Sequence, residues 1–123
     1  MKTVDLSTQT PAQLSELFCV LAIAKGKANL ERRISRYTHL YHKLEAVEKE
    51  LQARNGNECR QLAKFYNHPD PQVRLDAALT TLGIFPAQAK EVLQNIVDRH
   101  EYPQVANARH ALRDLETGPL FPM

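Results

Sequence analysis

Alternating runs of β-branched residues are missing from this sequence, and without them no strand pattern competes with helix. Cysteine is nearly missing too. Cys19 and Cys59 are the only two, too few for the disulfide framework of a small secreted domain. The longest apolar stretch, residues 17–24, is far shorter than a membrane span. The opening Met1-Lys2-Thr3-Val4-Asp5 and the polar residues 7–9 lack the apolar centre of a secretory leader. These absences predict a cytoplasmic protein with no membrane association. A formal net charge of +2 is too small to imply a nucleic-acid binder by itself. No phosphate-binding glycine loop, Ser-His-Asp arrangement or zinc-ligand spacing is present, so no enzyme class and no cofactor is indicated.

What remains is helical. With 123 residues the chain has the length of one domain, and Leu, Ala, Glu, Gln, Lys and Arg dominate it. Thr10-Pro11-Ala12-Gln13 opens a first helix with a capping box. Leu14, Leu17, Phe18 and Leu21 form its apolar face, and Gly26 is its expected stop. A long second helix is expected from Asn29, as cap, to Asn55. Its stripe is Leu30, Ile34, Tyr37, Tyr41, Leu44, Val47 and Leu51, recurring at spacings of three and four. A short third helix is expected over 57–67. Asp70 and Pro71 then start a fourth with Val73, Ala77, Ala78, Leu79 and Leu82 buried. Phe85-Pro86 marks the turn into a fifth helix, carrying Ala89, Val92, Leu93, Ile96 and Val97. Tyr102-Pro103 leads into a sixth carrying Val105, Ala108, Leu112 and Leu115. Gly118-Pro119 ends it, and an apolar tail, Leu120-Phe121-Pro122-Met123, follows. The expected organisation is a single domain: a helical hairpin over about 10–55, two helix pairs over 56–117 and a tail over 118–123.

The two later helices repeat each other. Pro71 matches Pro103, Ala78 matches Ala111, Leu79 matches Leu112 and Leu82 matches Leu115, a period that suits an α-solenoid. The segment D-P-Q-V-R-L-D-A-A-L-T-T-L-G at 70–83 resembles the second helix of a HEAT repeat. Asp70, Pro71, Val73, Arg74, Ala77, Ala78 and Leu82 fill that family's places, and small alanines let helices approach closely. In the second unit Tyr102 replaces the Asp and Ala106 replaces the Arg, as befits a terminal repeat. The resemblance covers residues 56–117 and implies an all-α superhelix of about six helices. It further implies that Arg74 is structural, bonding to Asp70 or Asp76. The whole chain also resembles a small bacterial family of unknown function. That likeness is carried by S-R-Y-T-H-L-Y-H-K-L-E-A-V-E-K-E-L at 35–51, H-P-D-P-Q-V-R-L-D-A-A at 68–78 and A-L-R-D-L-E-T-G at 111–118.

Candidate sites are few. Arg32, Arg36, His39 and Lys43 recur at spacings of four, three and four opposite the apolar stripe. Arg33, Lys25 and Lys27 add charge nearby. The set could meet phosphates or an acidic protein surface, or be an ordinary solvated face. Residues 1–67 carry 11 Lys and Arg against 7 acids, whereas residues 68–123 carry 5 against 7, so the basic half is the first. His39, His42 and Glu45 are metal-capable, but their spacing drifts round a helix and predicts no metal site. Cys19 and Cys59 fall in apolar patterns and are expected to be buried thiols. Tyr37, Tyr41 and Tyr66 are expected to be buried rings with hydroxyls at the rim. The solenoid character favours a non-catalytic protein-interaction module, an adaptor or immunity-type inhibitor, acting as a monomer or weak homodimer. Nucleic-acid association through the basic face is the alternative, and an unrecognised enzyme is less favoured.

Overall fold

A computed structural model describes residues 5–54 and 56–117. Among them are five α-helices and two 3-10 segments, with no strand. The chain forms two compact units, the first running to Leu62 and the second beginning at Ala63.

In the first unit, α1 spans Pro11–Leu30 and α2 spans Ile34–Ala53. The capping box forms as expected: Gln13 N–H donates to Thr10 Oγ1 at 3.1 Å, and Thr10 N–H to Gln13 Oε1 at 2.8 Å. Gly26, however, does not stop α1. It is buried inside the helix between the buried Lys25 and Ala28. A mid-helix glycine costs only about 1 kcal/mol, which packing on this scale overrides. The stop falls at Arg32, which adopts φ 57°. Arg33 N–H then bonds Ala28 O at 2.9 Å and Arg32 N–H bonds Asn29 O at 3.1 Å, the paired bonds of a Schellman ending. Asn29 is therefore helix interior rather than a cap. Arg33 occupies the N-cap of α2, and its side chain makes no capping bond.

The buried stripe of α2 is Leu40, Leu44, Val47 and Leu51. The sequence stripe is right from Leu44 onward and largely wrong before it. Leu30 and Ile34 are 58% and 78% exposed, and Tyr41 is also exposed. A helix has 3.6 residues per turn, so the contact seam drifts from the Tyr41 line to Leu40 as α2 approaches the turn. Lys25 is buried instead, with Nζ 5.9 Å from the Tyr37 ring centre and 5.5 Å from that of Tyr41.

The expected third α-helix is a 3-10 segment, Glu58–Phe65. Gly56 and Asn57 enter it with φ 75° and 57°, and Asn57 Oδ1 accepts from Cys59 N–H at 3.1 Å. Cys59 and Leu62 are its buried residues.

The second unit holds α3 (Pro71–Thr81), α4 (Pro86–Asp98) and α5 (Gln104–Thr117). Asp70 caps α3 as expected, its Oδ1 accepting from Gln72 N–H at 2.8 Å. The core gathers Leu75, Ala78, Ala89, Val92, Leu93, Ile96 and Ala108, flanked by Tyr66, Leu82, Val97, Ala111 and Leu112. Leu79, expected inside, is exposed, while Leu75 is buried. Of the matched repeat positions, Val73 and Ala78 are buried on α3. Their α5 counterparts Val105 and Ala111 are half-buried, and Leu115 is exposed. Pro103 lies just before α5. Asn55, the Gly118-Pro119 stop and the apolar tail lie outside the described residues.

Most unexpected is α3 itself. Residues 72–78 are buried without interruption, including Gln72, Arg74 and Asp76. Buried polar groups need partners. Gln72 Nε2 donates to Asp76 Oδ2 at 3.1 Å, and Gln104 Nε2 on α5 donates to Gln72 Oε1 at 3.0 Å. Thr81 Oγ1 shares a hydrogen bond with the Tyr66 hydroxyl and donates to Ala77 O at 2.7 Å. Gln104 Oε1 is buried with no hydrogen-bond partner among the described residues.

Candidate interaction surfaces

The basic residues singled out by spacing do reach the surface. Arg32, Arg33, Arg36, His39 and Lys43 are all exposed. Arg36, His39 and Lys43 keep their spacings of three and four along α2, whereas Arg32 lies before its start. Arg33 and Arg36 also join Lys27 of α1 and Glu31, just past its end, around a concavity of about 210 Å³ that Ala24 and Ala28 help to line. Glu31 lies 3.8 Å from Arg33, a contact of little strength between two exposed groups. His39 and Lys43 lie further along α2. Lys25, expected to add to this charge, is buried beside Tyr37 and Tyr41.

A second concavity, of about 410 Å³, opens between α3 and α5. Leu79, Leu82, Ala111 and Leu115 give it an apolar floor, and Asn107, His110 and Asp114 give it a polar rim. It exists because α3 leaves Leu79 exposed while α5 does the same with Leu115, so that two large apolar side chains line one opening. His110 Nε2 sits 3.5 Å from Asp114 Oδ2, and both side chains remain largely exposed. Sequence reasoning placed Leu79 and Leu115 in the core and so missed this groove. Local spacing held little to reveal it. Leu79 follows Leu75 by four residues, only about 40° round the helix, so it belongs to the edge of the buried face and neighbours decide its exposure.

The third concavity, about 280 Å³, is polar and includes Tyr66, His68, Arg74, Asn95, Arg99 and Glu101 in its lining. Arg74 is structural here, but its partner is neither Asp70 nor Asp76. Its guanidinium forks onto Glu101, with Nη1 to Oε1 at 2.6 Å and Nη2 to Oε2 at 2.7 Å, while Nε donates to His68 O at 2.7 Å. Asp70 is occupied as a cap and Asp76 by Gln72. The hydrogen bonds from Arg74 hold the Glu101 carboxyl below its usual range, against the opposing effect of burial, and Arg74 is raised in turn. A bidentate pair of this kind braces a turn.

Among the described residues no group of three or more His, Cys, Asp or Glu could hold a metal ion. His42 Nδ1 faces Glu45 Oε1 at 3.8 Å, and His39 stands apart on the surface. Both cysteines are buried. Burial, then the nearby Glu48 charge, pushes the Cys59 thiol up to about 11, and its Sγ donates to Glu48 O at 3.6 Å. A thiol so raised is a poor nucleophile. Of the three tyrosines expected to be buried rings, Tyr37 and Tyr66 are half-buried and Tyr41 is exposed, and the Tyr66 hydroxyl shares a hydrogen bond with Thr81. No helix among the described residues is long and apolar enough to cross a membrane.

Residues 12–116 match the model of a protein family described as a domain of unknown function, DUF2019. A crystal structure of the protein RPA1889 from Rhodopseudomonas palustris is similar over 98% of this chain and 100% of that one, with 33% identity and a TM-score of 0.92. No curated protein matches the chain.

Proposed function

The chain belongs to the DUF2019 family, and we propose that it serves as a non-catalytic protein-interaction module, an adaptor or inhibitor, docking its partner in the groove between α3 and α5. The observation that carries this reading is the pair Leu79 and Leu115, exposed together over an apolar floor. Exposed apolar clusters with a polar rim mark binding surfaces. The occupant that fits is a helical segment presenting Leu- or Ile-type side chains at spacings of three and four, with a Lys or Arg toward Asp114. The second unit is, on the same proposal, a short HEAT-like solenoid. Its support is the Pro-initiated α3 with Val73 and Ala78 buried, and the matching run in α5.

A second reading, nucleic-acid association, draws on the convergence of Lys27, Arg33 and Arg36 around one concavity. One experiment separates the two. The tagged protein is used to capture ligands from its native host, with and without nuclease, beside a Leu79→Asp/Leu115→Asp form and an Arg33→Ala/Arg36→Ala form. A single protein near stoichiometry, resistant to nuclease and lost only from the Leu79/Leu115 form, is the expected result. The same protein retained by that form would sink the groove. Nucleic acid that nuclease removes, with weaker and less salt-dependent capture by the arginine variant, would put the basic concavity in its place.

A further inference from the structure

The polar concavity lies wholly within the second unit and is built around a buried charge pair. One wall is the run from Tyr66 to the start of α3, and the other is the end of α4 with the turn after it. The Arg74–Glu101 fork ties these walls together, and Arg74 is more than nine-tenths buried. Glu101 is the one acid in the lining, and the fork already neutralises it. What is left over is positive. Arg99, in the same lining, makes no hydrogen bond or ion pair among the described residues. The hydrogen bonds from Arg74, then its charge and that of Arg99, hold the Glu101 carboxyl low against burial, so the field is positive even at the one acid. Neutral donors surround the same space. Asn67 and Asn95 bring exposed carboxamides. Asp70 N–H donates to His68 Nδ1 at 3.0 Å, which makes Nε2 the protonated, donating nitrogen of the neutral ring. Carbonyls at a helix end repel anions, but those at the end of α4 are taken. Asn95 O, Val97 O and Ile96 O accept from the N–H groups of Arg99, His100 and Glu101 at 3.0, 3.0 and 3.1 Å.

We propose that this concavity binds a small anion, a carboxylate or a phosphate group, with the Arg99 guanidinium as its main contact and Asn67, Asn95 and His68 as donors around it. The planar fork of arginine suits both kinds of oxyanion. A volume of about 280 Å³ lies just under the range of small-molecule sites, which fits a short organic acid or a phosphate group rather than a whole nucleotide. The buried fork holds both walls in place beforehand, so the cost of ordering falls on the exposed side chains alone. The concavity around Lys27, Arg33 and Arg36 lacks that construction. Its charged residues are all exposed, and Glu31 already lies 3.8 Å from Arg33. The anion site shares no lining residue with the groove between α3 and α5, so either can fail without the other.

Nuclear magnetic resonance of the isotope-labelled full chain tests this, by titration with sodium phosphate and with sodium succinate at fixed pH and ionic strength. Saturable shifts are expected at the backbone amides of Asn67, His68, Asn95 and Arg99 and at the carboxamides of Asn67 and Asn95. Arg99→Ala changes an exposed side chain, and it is expected to weaken the binding about tenfold or more without unfolding the protein. Arg99→Lys keeps the charge and loses the fork, so its affinity is expected to fall between the two. Arg36→Ala is expected to leave the affinity unchanged. Tighter saturation by succinate assigns the site to a carboxylate, and tighter saturation by phosphate assigns it to a phosphate group. A response to both anions that is still unsaturated at about 20 mM overturns the proposal. So does saturation that Arg99→Ala leaves intact, or shifts that gather at Lys27, Arg33 and Arg36 instead.

Discussion

Arg74 is only 7% exposed and is one of the few fixed charges inside the second unit. Its partner Glu101 makes the pair a bidentate brace between the start of α3 and the turn before α5. Glu101→Gln would leave the guanidinium buried with half its partner, at a cost of about 2–3 kcal/mol near neutral pH. Because the folded carboxyl titrates below its unfolded value, the stabilisation it supplies is present above the ordinary carboxylate range and is lost as pH falls through the depressed value. Denaturant melts of the natural protein are therefore expected to lose stability on acidification below about pH 4.5, where an unfolded glutamate begins to hold its proton. The Glu101→Gln form should show less of that slope, and an identical slope in both would remove Glu101 from the pair. The expectation that Arg74 makes structural hydrogen bonds came from its likeness to a position in HEAT repeats. Its partner was not legible, because a contact between residues 27 positions apart leaves no local spacing to read.

Most helix starts were legible, the Asn29 start of α2 excepted, and two helix ends were not. Thr10, Asp70, Pro71 and Pro86 all stand where the sequence placed them, since N-terminal caps are made by side-chain chemistry written at the cap itself. Ends were sought at glycine. Two helices instead close at Arg32 and His100, with φ 57° and 53°, each followed by the paired bonds of a Schellman ending. The second of these has His100 N–H to Val97 O at 3.0 Å and Glu101 N–H to Ile96 O at 3.1 Å. A side chain in this left-handed conformation costs about 1–2 kcal/mol, part of which glycine would forfeit through its freer unfolded state. Arg32→Gly and His100→Gly are each expected to raise stability by about 0.5–1 kcal/mol in chemical denaturation. A loss of stability in either would mean that the side chain, not the backbone, holds that turn.

At the scale of the molecule, the all-helical class, the six helical segments that follow residue 10 and most of the second-unit core were readable from periodicity. The burial of Leu75 and the exposure of Leu79 were not. Alanine-rich α3 has no strong apolar stripe, so its rotation is set by neighbours the sequence does not order. The consequence for stability is uneven. Residues 72–78 are buried on every side, whereas residues 113–117 at the end of α5 are exposed. Hydrogen exchange should find the amides of α3 among the slowest and those of the last turn of α5 among the fastest, separated by most of the global unfolding free energy. Equal protection of the two would show that the end of α5 is held by contacts outside α3 and α4.

Alanines at 77 and 78 are nearly featureless knobs, and a helix packed through them alone could slip round its own axis with small loss. The relay from Gln104 through Gln72 to Asp76 removes that degeneracy, since a turn of one residue would sever its link to α5. Phase, rather than adhesion, is what those amides contribute. The helix is set at one angle like a key cut for one lock, and Leu79 is thereby kept at the surface, where it lines the opening between α3 and α5.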